Sequence, residues 1–237
     1  MESGFPMRIN KYLAQKGYAT RRGADELIER GRVSINGRTA VLGDKVNETD
    51  EVTVKSGKRP KAYRYFAYHK PRGVVTHSAE EGDTDISREL REDPKLAGTF
   101  PVGRLDKDSY GLIILTDDGR ITDRLLNPDK AHEKEYTVKT ATKLRSNFKE
   151  KMEAGVDIEG YLTKPSKVRI NGDFSFSITL TEGKKHQIRR MVAALFNEVK
   201  DLKRIRVMNV KLGTLKAGEY RAIEGDELTE FLSLLGL

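Results

Sequence analysis

The first fifty residues combine two stretches of helical periodicity with a short alternating segment. Apolar residues three and four apart predict a helix over residues 9–17, and a second helix follows Thr20 and ends at Gly31. Residues 33–39 predict a hairpin, because Asn36-Gly37 is the preferred dipeptide of a type I′ turn. Residues 52–54 add a further strand. This segment is therefore predicted to be a small module of two helices and a few strands.

From residue 63 onward the pattern changes to many strands with occasional helices. Helices are predicted to start at Gly183 and at Gly225. No regular alternation of strand and helix is visible, which favours an α+β fold with a mostly antiparallel sheet. Residues 173–181 alternate, so one strand face should be buried and the other should meet solvent or ligand. The predicted strands cover residues 65–68, 73–76, 111–116, 173–181 and 204–212.

A polar loop runs directly into the most apolar of these strands. Gly103, Arg104 and Asp106 precede the continuous apolar run at residues 111–116. A carboxylate on a backbone held by the core is well placed to act as a nucleophile or base. A local ion pair with an arginine is the alternative interpretation of Asp106 that spacing alone leaves open.

Composition excludes several classes of protein. The chain has 237 residues, of which 37% are hydrophobic and 34% charged, and no apolar run approaches the ~18 residues of a membrane span. The N-terminal residues lack the pattern of a signal peptide. The absence of cysteine excludes disulfides, thiolate catalysis and cysteine-based zinc sites. No pair of the four histidines has helical metal-ligand spacing. We therefore expect a cytoplasmic protein that contacts no membrane and binds no metal.

The positive charge is concentrated near the N-terminus. The whole chain carries 44 Lys and Arg against 36 Asp and Glu, a formal net charge of +8. Residues 1–62 contain 13 against 8, a net of +5, and residues 63–237 contain 31 against 28, a net of +3. This distribution indicates an electrostatic docking module for a polyanion such as nucleic acid. Spare charge that keeps a small domain soluble is the simpler alternative.

The segment RINKYLAQKGYATRRGADELIERGRVSINGR resembles the S4 RNA-binding domain, an αL-like module that binds structured RNA through shape and phosphate. We expect a disordered leader over residues 1–6, an S4 domain over 7–54, a linker over 55–62 and a larger domain over 63–237. The Gly/Pro/basic sequence at residues 56–60 supports the linker. The resemblance implies RNA contacts from Arg8, Lys11, Arg21, Arg22, Arg32 and Arg38.

Four motifs in the larger domain occur in the order typical of one enzyme family. HKPRGVVT, GRLDKDSYGLIILTDDG, EKEYTV and TEGKKHQIRRM together resemble the pseudouridine synthases of the RsuA/RluB/RluE/RluF group. The sequence of these motifs is most similar to the RluF type, which acts on large-subunit rRNA. The resemblance covers nearly all of the chain after Met7. It implies a mixed, mostly antiparallel sheet, a monomer, and ribosomal RNA as partner, with 23S rRNA favoured and 16S rRNA or a tRNA as alternatives.

The resemblance also assigns catalytic roles. Asp106 corresponds to the essential aspartate nucleophile, and Arg189 to the arginine that pairs with it. A pocket that excludes water raises the pKa of a carboxyl group, and an arginine partner favours the ionised form that a nucleophile requires. We therefore expect Asp106 to be buried. Tyr136 matches the tyrosine that stacks on the target base and is proposed to help remove the proton from carbon 5.

Three further residues are expected to contact the substrate. Ile188 should form an apolar wall of the pocket, and Arg104 should help to displace the target base from its stack. A uridine inside folded RNA has to be flipped out before it can react. Lys134 either supports the strand of Tyr136 or touches phosphate. We expect no cofactor, because no GxGxxG, GxxxxGK[ST] or HExxH motif is present and the isomerisation is balanced without one.

Two other functions remain open from the residues. Asp106, Asp108 and the Asp117-Asp118 pair make a magnesium-dependent nuclease or phosphotransferase an alternative, although Asp117-Asp118-Gly119 is more simply a turn. An RNA-binding or ribosome-assembly factor without catalysis is the other. His186, next to QIRR, is expected either to face solvent on a helix or to contact RNA.

Overall fold

The computed structural model describes residues 5–55, 62–76 and 84–237. The chain divides into two compact units. One comprises the residues up to Tyr63 together with Asp118–Thr122, and the other comprises Arg64–Asp117 and Asp123–Leu237. Of the leader predicted over residues 1–6 and the linker predicted over 55–62, residues 1–4 and 56–61 lie outside the described residues.

The first unit contains the two helices and the hairpin that the sequence predicts. Thr20 caps the second helix by accepting a hydrogen bond from the Gly23 amide at 3.1 Å. Asn36 and Gly37 have φ values of 50° and 80°, as a type I′ turn requires. Apolar side chains of both helices and of the strands form one small core. The elements are β1 (Met7–Arg8), α1 (Ile9–Gln15), α2 (Arg21–Glu29), β2 (Val33–Ile35), β3 (Arg38–Thr39), β4 (Lys45–Val46) and β5 (Val52–Val54).

The remainder of the chain combines strands of two to nine residues with short helices. None of the helices in the described residues is long and apolar enough to cross a membrane. A 3₁₀ turn at Pro128–Lys130 precedes the strand that begins at Lys134. The elements are β6 (Tyr65–Lys70), α3 (Ile86–Glu92), β7 (Phe100–Val102), β8 (Tyr110–Thr116), α4 (Arg120–Leu126), β9 (Lys134–Thr140), α5 (Phe148–Ala154), β10 (Lys167–Gly172), β11 (Ser175–Leu180), α6 (Gln187–Ala194), β12 (Val199–Val207), β13 (Val210–Lys211), β14 (Tyr220–Ala222) and α7 (Gly225–Leu234).

Nine of these strands form one mixed sheet. Its order is β10-β11-β9-β12-β8-β6-β14, with β13 paired to β12 and β7 paired to β8. The β12–β8 pair is parallel, and the other pairs of this sheet are antiparallel. The predicted α+β class with a mostly antiparallel sheet is therefore confirmed.

A glycine allows the parallel strands at the sheet centre to approach each other. Gly111 lies opposite Arg204 in the β12–β8 ladder and has a φ of 109°. A Cβ atom at this position would lie 2.2 Å from the Arg204 carbonyl oxygen, which no real contact permits. Glycine is thus required where β8 begins, directly after the loop that carries Asp106.

Some local predictions differ from the structure. The helix expected from Gly183 begins at Gln187, because the Gln187 side chain accepts a hydrogen bond from the Lys184 amide and His186 adopts a left-handed φ of 52°. The strand expected at residues 73–76 is reduced to a single bridge between Val75 and Asp85. The nearby Thr76 hydroxyl bonds to the loop that carries Asp106 instead of extending a strand.

The alternation in β11 is confirmed on one face. Phe176, Ile178 and Leu180 belong to one apolar cluster of the sheet. The opposite face is more covered than expected, because Ser177 is buried and accepts a hydrogen bond from the Asn171 amide group at 2.8 Å.

Candidate active site

The predicted site residues of the larger domain meet at one cavity of ≈ 710 Å³. Its walls come from the loop before β8, from β9, from the end of β11, from the start of α6 and from β12. Arg189 is not part of the wall but reaches the site through its contact with Asp106. The predicted residues that line the cavity are Arg104, Asp106, Lys134, Tyr136 and Ile188.

The loop that carries Asp106 is held by hydrogen bonds on both sides of that residue. The buried hydroxyl of Thr76 donates to the Leu105 carbonyl oxygen at 2.9 Å and accepts from the Leu105 amide at 3.3 Å. On the other side, the Ser109 amide donates to the Asp106 carbonyl oxygen at 3.0 Å. Gly103 begins the loop with a left-handed φ of 82°. The backbone around Asp106 is therefore fixed before any substrate binds.

Two nitrogen-bearing side chains face the Asp106 carboxylate. The Arg189 Nε atom lies 3.9 Å from Oδ2, and the His186 Nε2 atom lies 3.5 Å from Oδ1. Both distances are longer than a hydrogen bond, so these contacts are electrostatic. The Asp106 side chain is 36% exposed, contrary to the burial expected from the sequence. The reason is its position on the wall of the cavity, where the carboxylate is accessible to a ligand.

Arg189 is oriented by the residues around it. Its Nη1 atom donates to the Val199 carbonyl oxygen at 3.4 Å, and Nη2 donates to the buried Ser109 hydroxyl at 3.3 Å. The following arginine behaves differently, because Arg190 forms an ion pair with Glu159 at 2.7 Å. Of the two arginines in QIRR, the structure thus directs the first toward Asp106.

A buried carboxylate secures the start of α6. Glu182 accepts hydrogen bonds from the Gln187 side-chain amide at 2.7 Å, the Tyr161 hydroxyl at 2.6 Å and the Lys164 amide at 3.0 Å. His186 precedes the helix in a left-handed conformation, which is uncommon for a residue with a side chain. His186 is exposed, as one of its two interpretations expected, but it lies before α6 and beside Asp106 instead of on the helix.

Lys134 and Tyr136 lie on the same face of β9, two residues apart. Tyr136 is paired with Ile178 of β11 and with Arg204 of β12, and it packs against the apolar cluster that contains the buried Ile188. The Lys134 Nζ atom donates to the His132 carbonyl oxygen at 3.4 Å. Burial, with a smaller contribution from the Arg204 charge, lowers the pKa of Lys134 to about 8.

Sequence reasoning missed Arg204, which also lines the cavity and is 4% exposed. Its Nε atom donates to the Leu112 carbonyl oxygen at 2.6 Å, and Nη1 donates to the Arg104 carbonyl oxygen at 3.4 Å. Arg204 therefore connects β8 to the loop of Asp106. The available signal was an arginine inside the apolar stretch RIRVMNVKL, where a charged side chain needs a special partner.

Two of the carboxylates considered for a metal site have ion-pair partners. Asp117 pairs with Arg64 at 3.1 Å, and the fully buried Asp118 pairs with Arg120 at 2.8 Å. Within residues 5–55, 62–76 and 84–237, no group of three or more His, Asp or Glu side chains is arranged to hold a metal ion.

The residues of the first unit that are predicted to contact RNA differ in their ion pairs and hydrogen bonds. Arg38 forms an ion pair with Asp44 at 2.8 Å, and Arg32 donates to the Lys55 carbonyl oxygen at 3.4 Å. The four others form no ion pair within the described part of the chain. These are the exposed Arg8, Arg21 and Arg22 and the half-buried Lys11.

Comparison with known proteins gives a consistent result along the whole chain. The family model for RNA pseudouridylate synthase matches residues 64–194, and the S4 domain model matches residues 7–52. The dual-specificity RNA pseudouridine synthase RluF of Escherichia coli K12 is 40% identical over 233 residues, which cover 97% of this chain and 79% of the relative.

Other relatives and a solved structure agree. The ribosomal small subunit pseudouridine synthase A of Pasteurella multocida is 34% identical over 231 residues, covering 95% of this chain and 99% of the relative. A crystal structure of a pseudouridylate synthase is 31% identical, with a TM-score of 0.69, and the match covers 96% and 99% of the two chains. The family model alone spans more than half of the residues. The chain therefore belongs to the RNA pseudouridylate synthase family, whose members isomerise uridine in RNA, and it carries an S4 domain ahead of its catalytic domain.

Proposed function

We propose that this enzyme converts a uridine of 23S ribosomal RNA to pseudouridine, with Asp106 as the nucleophile. The observation that carries the assignment is the position of Asp106 on a clamped loop, where it faces Arg189 and His186 at a cavity walled by Tyr136 and Ile188. The guanidinium of Arg189 supplies a positive charge beside the carboxylate that is to act as the nucleophile.

The reaction requires the base to leave C1′, turn and return through carbon 5. Tyr136 offers an aromatic surface on which uracil can stack, and the buried Ile188 offers an apolar wall. Together they hold the detached ring beside Asp106 while it turns. The product has the same atoms as the substrate, so the proposal includes no cofactor and no metal.

The target nucleotide must be flipped out of the RNA before it reaches Asp106. Arg104 is exposed at the cavity, two residues before the nucleophile, where it can occupy the space that the base leaves. Unstacking costs a few kcal/mol, which stacking on Tyr136 and phosphate contacts from the S4 domain offset. Arg21 and Arg22, exposed at the start of α2, are the strongest candidates for those contacts.

The choice of RNA rests on the relatives. The name of the 40% identical relative, a dual-specificity synthase, supports an enzyme that accepts more than one RNA, and we propose a tRNA as the second substrate. The small-subunit enzyme at 34% identity makes 16S rRNA the alternative. We propose that the enzyme acts as a monomer in the cytoplasm, where these RNAs are found.

The test uses unmodified transcripts of 23S rRNA, 16S rRNA and tRNAs, incubated with enzyme in the presence of EDTA after the RNA has been folded. Pseudouridine mapping should show conversion of a specific 23S uridine by the wild type and none by Asp106→Asn, whose RNA affinity stays within a few fold. Asp108→Asn removes the exposed carboxylate two residues away and should remain active.

Three outcomes would contradict the proposal. Wild-type enzyme that binds these RNAs but modifies none would indicate a binding or assembly factor. Activity that depends on added magnesium after the RNA is folded would favour a metal mechanism. Conversion of 16S rRNA alone would reassign the substrate.

A further inference from the structure

Arg204 and Arg206 are two residues apart on β12 but have opposite surroundings. In a regular strand such residues point to the same face. Here the register of β12 against β9 shifts between Arg204 and Arg206, so the extra residue turns the second arginine to the other face. The bulge thereby assigns one arginine to the cavity and the other to the opposite side of the sheet.

The two arginines also differ in their partners. Arg206 forms ion pairs with Glu135 at 2.8 Å and with Glu133 at 3.0 Å, and it donates to the Met208 carbonyl oxygen at 2.7 Å. Arg204 has two carbonyl partners and no carboxylate among the described residues, and its buried Nη2 atom has no hydrogen-bond partner there. One guanidinium is neutralised and the other is not.

Lys134 adds a second uncompensated cation to the same cavity. In the described structure it contacts one carbonyl oxygen, at 3.4 Å, and forms no ion pair. Two carboxylates line the cavity among the described residues, but Glu182 already accepts three hydrogen bonds and Asp106 faces Arg189 and His186. Burial of unpaired charge is costly, so the arrangement fits an anion that is present only during the reaction.

The reaction itself produces such an anion. When an Asp106 oxygen bonds to C1′ and the C1′–N1 bond breaks, the bonding electrons stay on uracil, and its negative charge is shared by N1, O2 and O4. After the ring turns, C5 bonds to C1′ and Asp106 leaves as a carboxylate. The proton lost from C5 balances the proton gained at N1. The ring is therefore most negative between the two bond-making steps.

We propose that Lys134, backed by the charge of Arg204, stabilises this departing uracil anion through a hydrogen bond from Nζ to O2 or O4 of the ring. The inference rests on the proposed function, because it places the reacting base beside Asp106 and Tyr136. Lys134 would be the catalytic residue, and Arg204 a positioning residue that adds charge behind it.

The position of the two cations favours the base over a backbone phosphate as their ligand. Lys134 is two residues from Tyr136 on the same strand face, and Arg204 is directly opposite Tyr136 in the ladder. Both charges therefore lie beside the ring on which uracil is expected to stack. Arg204 is also too deeply buried to meet a phosphate outside the cavity.

The test compares Lys134→Met with Lys139→Met, which removes the same charge from an exposed position on the same strand. Single-turnover rates and RNA affinities are measured on a 23S transcript. Loss of a group that stabilises developing negative charge lowers a rate by about 10²-fold. We expect that loss for Lys134→Met at saturating enzyme, with an affinity within about threefold of wild type, and neither change for Lys139→Met.

A second substrate separates charge stabilisation from a structural role. In a transcript made with 5-fluorouridine, the fluorine withdraws electrons and stabilises the uracil anion. The ratio of wild-type to Lys134→Met rates, measured as consumption of the target nucleotide, should therefore be smaller for this RNA than for the uridine RNA. A ratio that is equal for both RNAs would mean that Lys134 acts only on structure.

The remaining outcomes are also decisive. A weaker affinity with a normal rate at saturation would identify a phosphate contact and overturn the inference, as would a variant with unchanged rate and affinity. Failure of the proposed function is recognised separately, because wild-type enzyme would then leave the 23S transcript unmodified, or Asp106→Asn would remain active on it.

Discussion

The hydroxyl of Thr76 is joined to both backbone groups of Leu105, donating to the carbonyl oxygen at 2.9 Å and accepting from the amide at 3.3 Å. A single hydroxyl has one donor and spare acceptor capacity, so it can serve both groups at once. Thr76 and Leu105 are buried, and Asp106 is the next residue. The position of the proposed nucleophile therefore depends on a side chain 30 residues earlier in the sequence.

Replacing Thr76 tests this dependence. Thr76→Val keeps the shape but leaves the buried Leu105 groups without their partner, which costs about 1–3 kcal/mol in unfolding free energy. A shift of about 1 Å in the loop is enough to slow the reaction by about 10²-fold. Urea unfolding and single-turnover rates measure the two effects. Thr76→Ser retains the hydroxyl and should stay closer to wild type in both unfolding free energy and rate. Equal rates for wild type and Thr76→Val would contradict the role of Thr76 in holding the Asp106 loop.

The close approach of β8 and β12 leads to a prediction about Gly111. The added methyl group of Gly111→Ala would collide with the Arg204 backbone, and a β-carbon at a φ of 109° is strained even without that contact. Overpacking of this kind costs about 1–3 kcal/mol or more. Thermal unfolding should show a clear loss for this variant and little change for Gly172→Ala, whose new atom makes only an ordinary contact. Equal melting temperatures for wild type and Gly111→Ala would disprove the requirement for glycine at this position.

The S4 domain provides a prediction about RNA affinity. Arg21 and Arg22 are exposed and unpaired within the described residues, so reversing both to Glu should weaken binding to every RNA tested. If each contacts a phosphate, the slope of log affinity against log salt concentration should fall by about 2. Filter binding at several salt concentrations measures it. The control is reversal of Lys149 and Lys151, which are exposed on α5, because it makes the same change in net charge. An unchanged slope for the first variant would exclude these phosphate contacts.

The elements that the sequence predicted well are those determined by neighbours along the chain. Asn36-Gly37 specifies a turn by its own backbone preference, and Thr20 caps a helix three residues away. Asp106 was found because the motif around it is contiguous. In each case the physical cause lies within a few residues of its effect.

The parts that escaped prediction depend on contacts between distant segments. Arg204 and Arg206 look equivalent in sequence, and only the register of β12 against β9 separates a cavity cation from a paired one. The helix predicted from Gly183 would include His186, whereas the hydrogen bonds of Gln187 to the Lys184 amide and to the buried Glu182 delay the start of that helix. Strand register and hydrogen bonds between distant segments leave no pattern among neighbouring residues of the sequence.

The lowered pKa of Lys134 leads to a prediction about stability. Its pKa is about 8 in the folded protein and near 10.5 when unfolded, so below pH 8 both states hold the proton and the folded state bears the full penalty of the buried charge. Removal of the charge by Lys134→Met should therefore raise the unfolding free energy at pH 7 by about 1–3 kcal/mol. The wild type gains stability between pH 8 and 10.5 as the folded protein loses this proton first, so the stability difference between Lys134→Met and wild type should shrink over that range.

Urea unfolding at pH 7, 8.5 and 10 measures this stability difference. The exposed Lys139→Met is the control, which should show no such trend. A Lys134→Met variant less stable than wild type at pH 7 would make the lysine a structural residue; a variant that is more stable but slower would show that the enzyme retains this charge for its chemistry at the expense of its fold.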